Sequence, residues 1–104
     1  MFKRGKYNAV KTVVDGITFD SKKEAARYAE LKLLERAGEI TCLTLQPRFD
    51  IIIKGKFCCF YKADFKYFTA ETCVIEDVKG MKTPMYRLKK KLVEAQYGIK
   101  ITET

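Results

Sequence analysis

Histidine and tryptophan are both missing from these 104 residues. Without histidine there is no Ser-His-Asp triad, no Cys-His pair, no imidazole metal ligand and no imidazole acid or base. Any catalysis must rest on carboxylates, Lys, Tyr, Cys or a bound hard cation. The four cysteines, Cys42, Cys58, Cys59 and Cys73, include no C-x-x-C pair, so a zinc site has neither its thiolate spacing nor its imidazoles. They read as buried, reduced thiols; Cys58 and Cys59, adjacent in a strand-like run, point to opposite faces and do not bridge. No segment approaches the ~18 apolar residues of a membrane span. Residues Met1 to Asn8 carry Lys3, Arg4 and Lys6 with no apolar stretch behind them, unlike a secretory signal. A reducing cytoplasm is the expected compartment.

Acid is also in short supply. Thirteen Asp and Glu face twenty-one Lys and Arg, giving a formal net charge of +8 and making a polyanion the natural partner. With 47% apolar residues, including seven Phe and six Tyr, the chain has the means to build a core. Its length suits one domain, read here as a basic arm over residues 1–8 and a folded unit over 9–104.

Local signals order the elements. Val10 to Val14 and Ile17 to Phe19 flank Asp15-Gly16, which readily takes the positive φ angles of a tight hairpin turn. Ser21 and Glu24 form a capping box and Gly38 follows Ala37, bounding a helix of about four turns. Its apolar residues spread around the cylinder, with Ala26, Ala29, Leu33 and Ala37 in one row and Tyr28, Leu31 and Leu34 elsewhere, which predicts burial on more than one side. From Ile40 to Lys79, β-formers broken at Pro47, Gly55 and Ala70–Thr72 predict three or four antiparallel strands, with Phe57 to Phe68 long enough to carry a bend. Thr83 and Pro84 suit the N-cap and first turn of a second helix running to about Gln96, with Met85, Leu88, Leu92 and Ala95 as its inward row. Gly98 ends it, and Ile99 to Thr102 form a last short strand. The expected architecture is a small α/β or α+β sandwich, its sheet flanked by two helices.

Acid-x-Lys triplets occur four times. Asp20-Ser21-Lys22 lies at a turn; Glu30-Leu31-Lys32 is helical, where residues two apart diverge. Asp64-Phe65-Lys66 has no acidic strand before it. Only Asp77-Val78-Lys79 follows an acid-bearing strand and precedes a basic helix. Asp77 and Lys79, two apart on a strand, share a face, and hairpin pairing brings Asp64 beside them. Two readings remain at this level. One is a Mg²⁺ site, since a hard cation takes carboxylate oxygens and keeps its waters while a lysine stabilises developing charge on a phosphate. The other is a cross-strand salt bridge on a solvated face. Residues 79 to 91 add Lys79, Lys82, Arg87, Lys89, Lys90 and Lys91 with no acid, a solvated helix face or a phosphate track beside the carboxylates. Tyr86 is placed either to stack on a base or to pack. Lys3 and Arg4 would supply non-specific backbone contacts.

With Glu24 on the first helix, Asp64 and Asp77-Val78-Lys79 resemble the PD-(D/E)xK nuclease superfamily. More closely, residues Val14 to Ala25, Leu45-Gln46-Pro47, Tyr61 to Phe65 and Glu76 to Gly80 are similar to a small phage and prophage family of that superfamily, grouped with Holliday-junction resolvases. The resemblance runs from about Tyr7 to Ile101, and departs from the superfamily motif in having Ala63 where the motif has Pro. It implies a restriction-endonuclease-like core with a mixed or antiparallel sheet of four to five strands. It also implies metal-dependent cleavage of DNA, branched DNA included, by a phage or prophage protein in the host cytoplasm. Asp64, Asp77, Glu24 and the Val78 carbonyl would hold Mg²⁺, which Mn²⁺ could replace, and Lys79 would be the catalytic lysine. Glu24 has a second explanation as the capping-box residue, and Glu76, on the opposite strand face from Asp77, is an alternative ligand. A homodimer follows from the junction-resolving relatives. The competing readings are a nucleic-acid-binding accessory protein of the same fold without activity, and a protein-interaction module with no affinity for nucleic acid.

Overall fold

The computed structural model describes residues 11–78 and 82–104. A hairpin opens this part of the chain, β1 (Thr12–Val14) against β2 (Ile17–Phe19). Asp15 and Gly16 take φ of 53° and 76° in its turn, as the dipeptide predicted. Helix α1 (Lys22–Arg36) starts at Ser21, whose Oγ accepts the Glu24 N–H at 3.1 Å, and ends where Gly38 takes φ 84°.

Five strands follow, not three or four: β3 (Thr41–Leu45), β4 (Arg48–Ile53), β5 (Lys56–Lys62), β6 (Phe65–Phe68) and β7 (Cys73–Asp77). The long run from Phe57 to Phe68 divides at Ala63-Asp64 because its halves belong to different sheets. β4 and β5 form a separate antiparallel ribbon turned at Lys54-Gly55, whereas β6 enters a four-stranded sheet. Helix α2 (Pro84–Tyr97) begins at the Thr83 cap and stops at left-handed Gly98, and β8 (Ile101–Glu103) closes the chain. The four-stranded order is β3-β6-β7-β8, antiparallel except for the parallel β7–β8 pair, whose connection is α2. The protein is thus α+β, with two helices, a mixed sheet and an N-terminal hairpin.

Alternation along β6 and β7 sends side chains into two cores. Phe65 and Tyr67 join Phe19, Ala25, Tyr28 and Leu31 on the α1 side. Ile75 joins Ile51, Tyr61, Ala63, Tyr86, Val93 and Ile101 on the α2 side. The helix faces differ from those predicted. Only one stripe of α1 is buried, Ala25, Tyr28 and Leu31; the row Ala26, Ala29, Leu33 and Ala37 is exposed. On α2 the inward residues are Tyr86 and Val93, while Met85 and Leu88 lie in solvent and Ala95 is exposed. The Tyr86 ring fills the space beside Tyr61, 6.2 Å between centroids, and that contact rotates the helix away from its aliphatic row. Nor are the thiols buried as expected: Cys42, Cys58 and Cys73 are exposed and Cys59 is half-buried, all four free.

Candidate metal and nucleic-acid site

Asp64 occupies the step between the two sheets rather than the middle of a strand. Its backbone is fixed on both sides, with N–H donating to the Glu76 carbonyl at 3.1 Å and C=O accepting from Gln46 N–H at 2.9 Å. In the β6–β7 ladder Phe65 faces Glu76, so the next position brings Asp64 level with Asp77, the last residue of β7. The Asp64 carboxylate lies across that strand end, where its Oδ2 accepts the Val78 N–H at 2.7 Å. Asp77 shares the α2 side of the sheet with Ile75. It is fully buried, and its Oδ2 accepts the Tyr61 hydroxyl.

Glu24 reaches the same end of the sheet from the first turn of α1. Burial, then the charges of Asp64 and Asp20, and more weakly that of Asp77, push its carboxyl up to about 7. Glu24 and Asp64 share a hydrogen bond, and both line a cleft of about 180 Å³ with Phe19 and Gln46. Ser21 caps through the Glu24 backbone, which leaves the Glu24 side chain to this cleft. Among the described residues no group of three or more His, Cys, Asp or Glu side chains is arranged to hold a metal ion. Magnesium, however, is commonly bound through one or two carboxylates, with waters and substrate phosphate completing its shell. The donor chemistry of Asp64, Asp77 and Glu24 fits such a cation, and the mutual repulsion that raises Glu24 is what a cation would relieve.

On the other side of β7, the basic helix meets an acid. The parallel register sets Glu103 beside Asp77, and its carboxylate accepts the Tyr86 hydroxyl at 2.7 Å while pairing with Lys82 at 3.0 Å and Lys90 at 3.4 Å. Those three partners hold Glu103 down at about 2. Tyr86, expected among the nucleic-acid contacts, is 8% exposed, and burial with the Glu103 bond pushes its hydroxyl far up. It is a packing residue, not a stacking platform. Lys82 and Lys90 join Arg87 and Lys91 around an open cleft of about 350 Å³, with Glu94 and Glu103 in its wall. Lys89 instead leans toward Phe60, 5.9 Å from the ring centroid.

A family model described as a protein of unknown function (DUF1064) matches residues 4–103. The chain belongs to the DUF1064 family. No curated protein and no solved structure matches it.

In this DUF1064 protein Asp64, Asp77 and Glu24 converge from three elements, as the pattern of acids predicted. Lys79, Lys3 and Arg4 lie outside the described residues. The Val78 carbonyl was expected at the metal; what the structure adds is the Val78 N–H, which holds Asp64 in place. Glu76 is not available as a ligand. Its Oε1 accepts Arg27 Nη2 at 3.0 Å and the Tyr67 hydroxyl at 2.8 Å; its Oε2 accepts Arg27 Nε at 2.6 Å and Thr104 Oγ1 at 3.2 Å. The residues that sequence reasoning missed, Arg27 and Glu103, meet their partners 49 and 17 positions away, beyond any local pattern. No signal of charge or spacing in the chain marks either one.

Proposed function

We propose that this protein is a metal-dependent DNA endonuclease that hydrolyses phosphodiester bonds at the Glu24–Asp64–Asp77 end of its sheet, branched DNA included. The observation that carries the reading is the crossing of Asp64 over the end of β7, which puts one carboxylate level with Asp77 and beside Glu24. Support comes from the resemblance of these positions to the PD-(D/E)xK superfamily and from the basic cleft at the first turns of α2. Asp64, Asp77 and Glu24 would hold Mg²⁺ or Mn²⁺, which supplies Lewis-acid stabilisation of the phosphate and an activated water. In this chain Tyr61 orients Asp77, Val78 N–H orients Asp64, and Lys79, on the strength of the sequence resemblance, stabilises charge on the phosphate. A homodimer acting on two strands, in the cytoplasm of a phage's bacterial host, belongs to the same reading.

The deciding experiment is incubation of supercoiled and four-way-junction DNA with the purified protein in Mg²⁺, Mn²⁺ or EDTA, beside Asp77→Ala and Lys79→Ala. Cutting that needs the metal and both residues supports the nuclease. DNA binding with salt-dependent affinity and no cutting in any divalent metal sinks it and leaves the accessory-protein reading.

A further inference from the structure

The β4–β5 ribbon presents one face to the α2 core and another to solvent. Its register pairs Arg48 with Lys62, Asp50 with Phe60 and Ile52 with Phe57, and these six side chains form the outer face. Phe49, Ile51, Cys59 and Tyr61 take the inner one. The outer face keeps large apolar groups in water: Phe57 is 57% exposed, Ile52 45% and Phe60 39%. Cations surround these rings. The Arg48 guanidinium carbon lies 4.0 Å from the Phe60 centroid, held there by Asp50 at 2.9 Å, and the Lys62 and Lys89 ammonium groups each stand 5.9 Å from the same centroid. Lys54 and Lys56 extend the charge to the turn. Asp50 is the one acid between Arg48 and Lys62.

Exposed aromatic faces set among cations match the chemistry of unpaired nucleotides, whose bases stack on rings while lysine and arginine neutralise the phosphates. A second copy of this chain suits the face less well, because like charges would meet across it in a protein of net charge +8. Duplex DNA offers no open base faces to Phe57 or Phe60. We propose that the outer face of the β4–β5 ribbon binds single-stranded nucleic acid, with bases stacked on Phe60 and Phe57 and the backbone held by Arg48, Lys62 and Lys89. The proposal rests on the reading that the protein acts on DNA only in its choice of ligand; it would give the enzyme a preference for substrates with unpaired bases near the cut.

The test is fluorescence anisotropy in EDTA, so that cleavage plays no part, with a labelled oligothymidylate and a duplex of equal length. Stacking worth about 1–3 kcal/mol per base predicts that Phe60→Ala weakens single-strand binding on the order of tenfold and duplex binding less than about twofold. Phe60→Tyr should retain the affinity and Phe60→Leu should lose it, which separates stacking from apolar bulk. The double variant Arg48→Ala/Lys62→Ala should weaken single-strand binding and flatten its salt dependence by about one unit of slope. Unchanged single-strand affinity in both Phe60→Ala and the double variant overturns the proposal. So does equal loss for both ligands in Phe60→Ala, or dissociation of a dimer on that substitution with affinity intact. If Phe60→Ala does not fold, Phe57→Ala and the double variant decide in its place. Single-strand binding through Phe60 by a protein that never cuts DNA would keep this inference and remove the nuclease reading; cutting with no dependence on Phe60, Phe57, Arg48 or Lys62 would do the reverse.

Discussion

Glu76 and Asp77 are neighbours on β7, both fully buried, and they face opposite sides of the sheet. On the α1 side Glu76 finds a bidentate arginine, a tyrosine and a threonine, and these hold its carboxyl below the usual range against the upward push of burial. On the α2 side Asp77 meets a tyrosine hydroxyl and two further acids, Asp64 ahead of it and Glu103 beside it. A buried carboxylate whose charge is balanced inside the chain is a strut. One set among other acids calls for a cation from outside.

That contrast can be broken from either side, beginning with the largest effects. Asp77→Asn keeps the size of the side chain and an acceptor for Tyr61 but removes a metal-binding charge; cleavage should fall on the order of 10²–10³-fold with little loss of thermal stability. Glu76→Gln should do the opposite. It leaves Arg27 half-paired at the sheet, costing about 3 kcal/mol, the lower end for a broken buried pair because Arg27 keeps 26% exposure. Denaturant unfolding at neutral pH measures that loss. Cleavage per folded molecule should stay within about twofold, since Glu76 does not reach the Glu24 cleft.

Glu24 carries a pH signature. Its folded carboxyl titrates near 7 against 4.5 unperturbed, so between those values the folded state holds a proton that the unfolded state has released. Stability should therefore decline as pH rises from about 4.5 to 7, and Glu24→Gln should flatten the decline. Thermal melts with and without Mn²⁺ add a second readout. The metal competes with that proton, so its stabilisation should be greater at pH 8 than at pH 6 in the wild type, and lose that dependence in Glu24→Gln.

Glu103 gives the smallest effect. Glu103→Gln frees Lys82 and Lys90 from their carboxylate, so duplex DNA should bind about two- to fivefold tighter at low salt, with the gain shrinking as salt screens it. Unchanged binding would take the α2 cleft out of the DNA surface. Glu103 itself is held low, near 2, so its ion pairs contribute above about pH 4.5 and are lost as pH falls through 2.

Much of the fold was legible locally. Ser21 with Glu24, Gly38, Thr83 with Pro84, and Gly98 marked both helices to within about one residue, because caps act through the nearest backbone groups. Asp15-Gly16 marked its hairpin in the same way. The helix faces were not legible. On α1 charged and apolar residues alternate without a clear stripe, and only packing against Phe19 and Phe65 selects Tyr28 and Leu31. On α2 a tyrosine that could have faced water is buried because Tyr61 and Glu103, from distant strands, satisfy its ring and its hydroxyl. The division at Ala63-Asp64 shows no break residue, since the change is one of sheet partner rather than of local conformation. Asp64 and Asp77 could be paired from a hairpin argument, but the Val78 N–H that fixes Asp64 needed the backbone.

The most direct measurement is anomalous scattering from crystals of the protein grown with Mn²⁺. A manganese peak within coordinating distance of both Asp64 and Asp77, at the end of β7, is the predicted result. A well-ordered site in those crystals with no peak there, or with the metal bound only elsewhere, would contradict a metal-dependent nuclease at this end of the sheet.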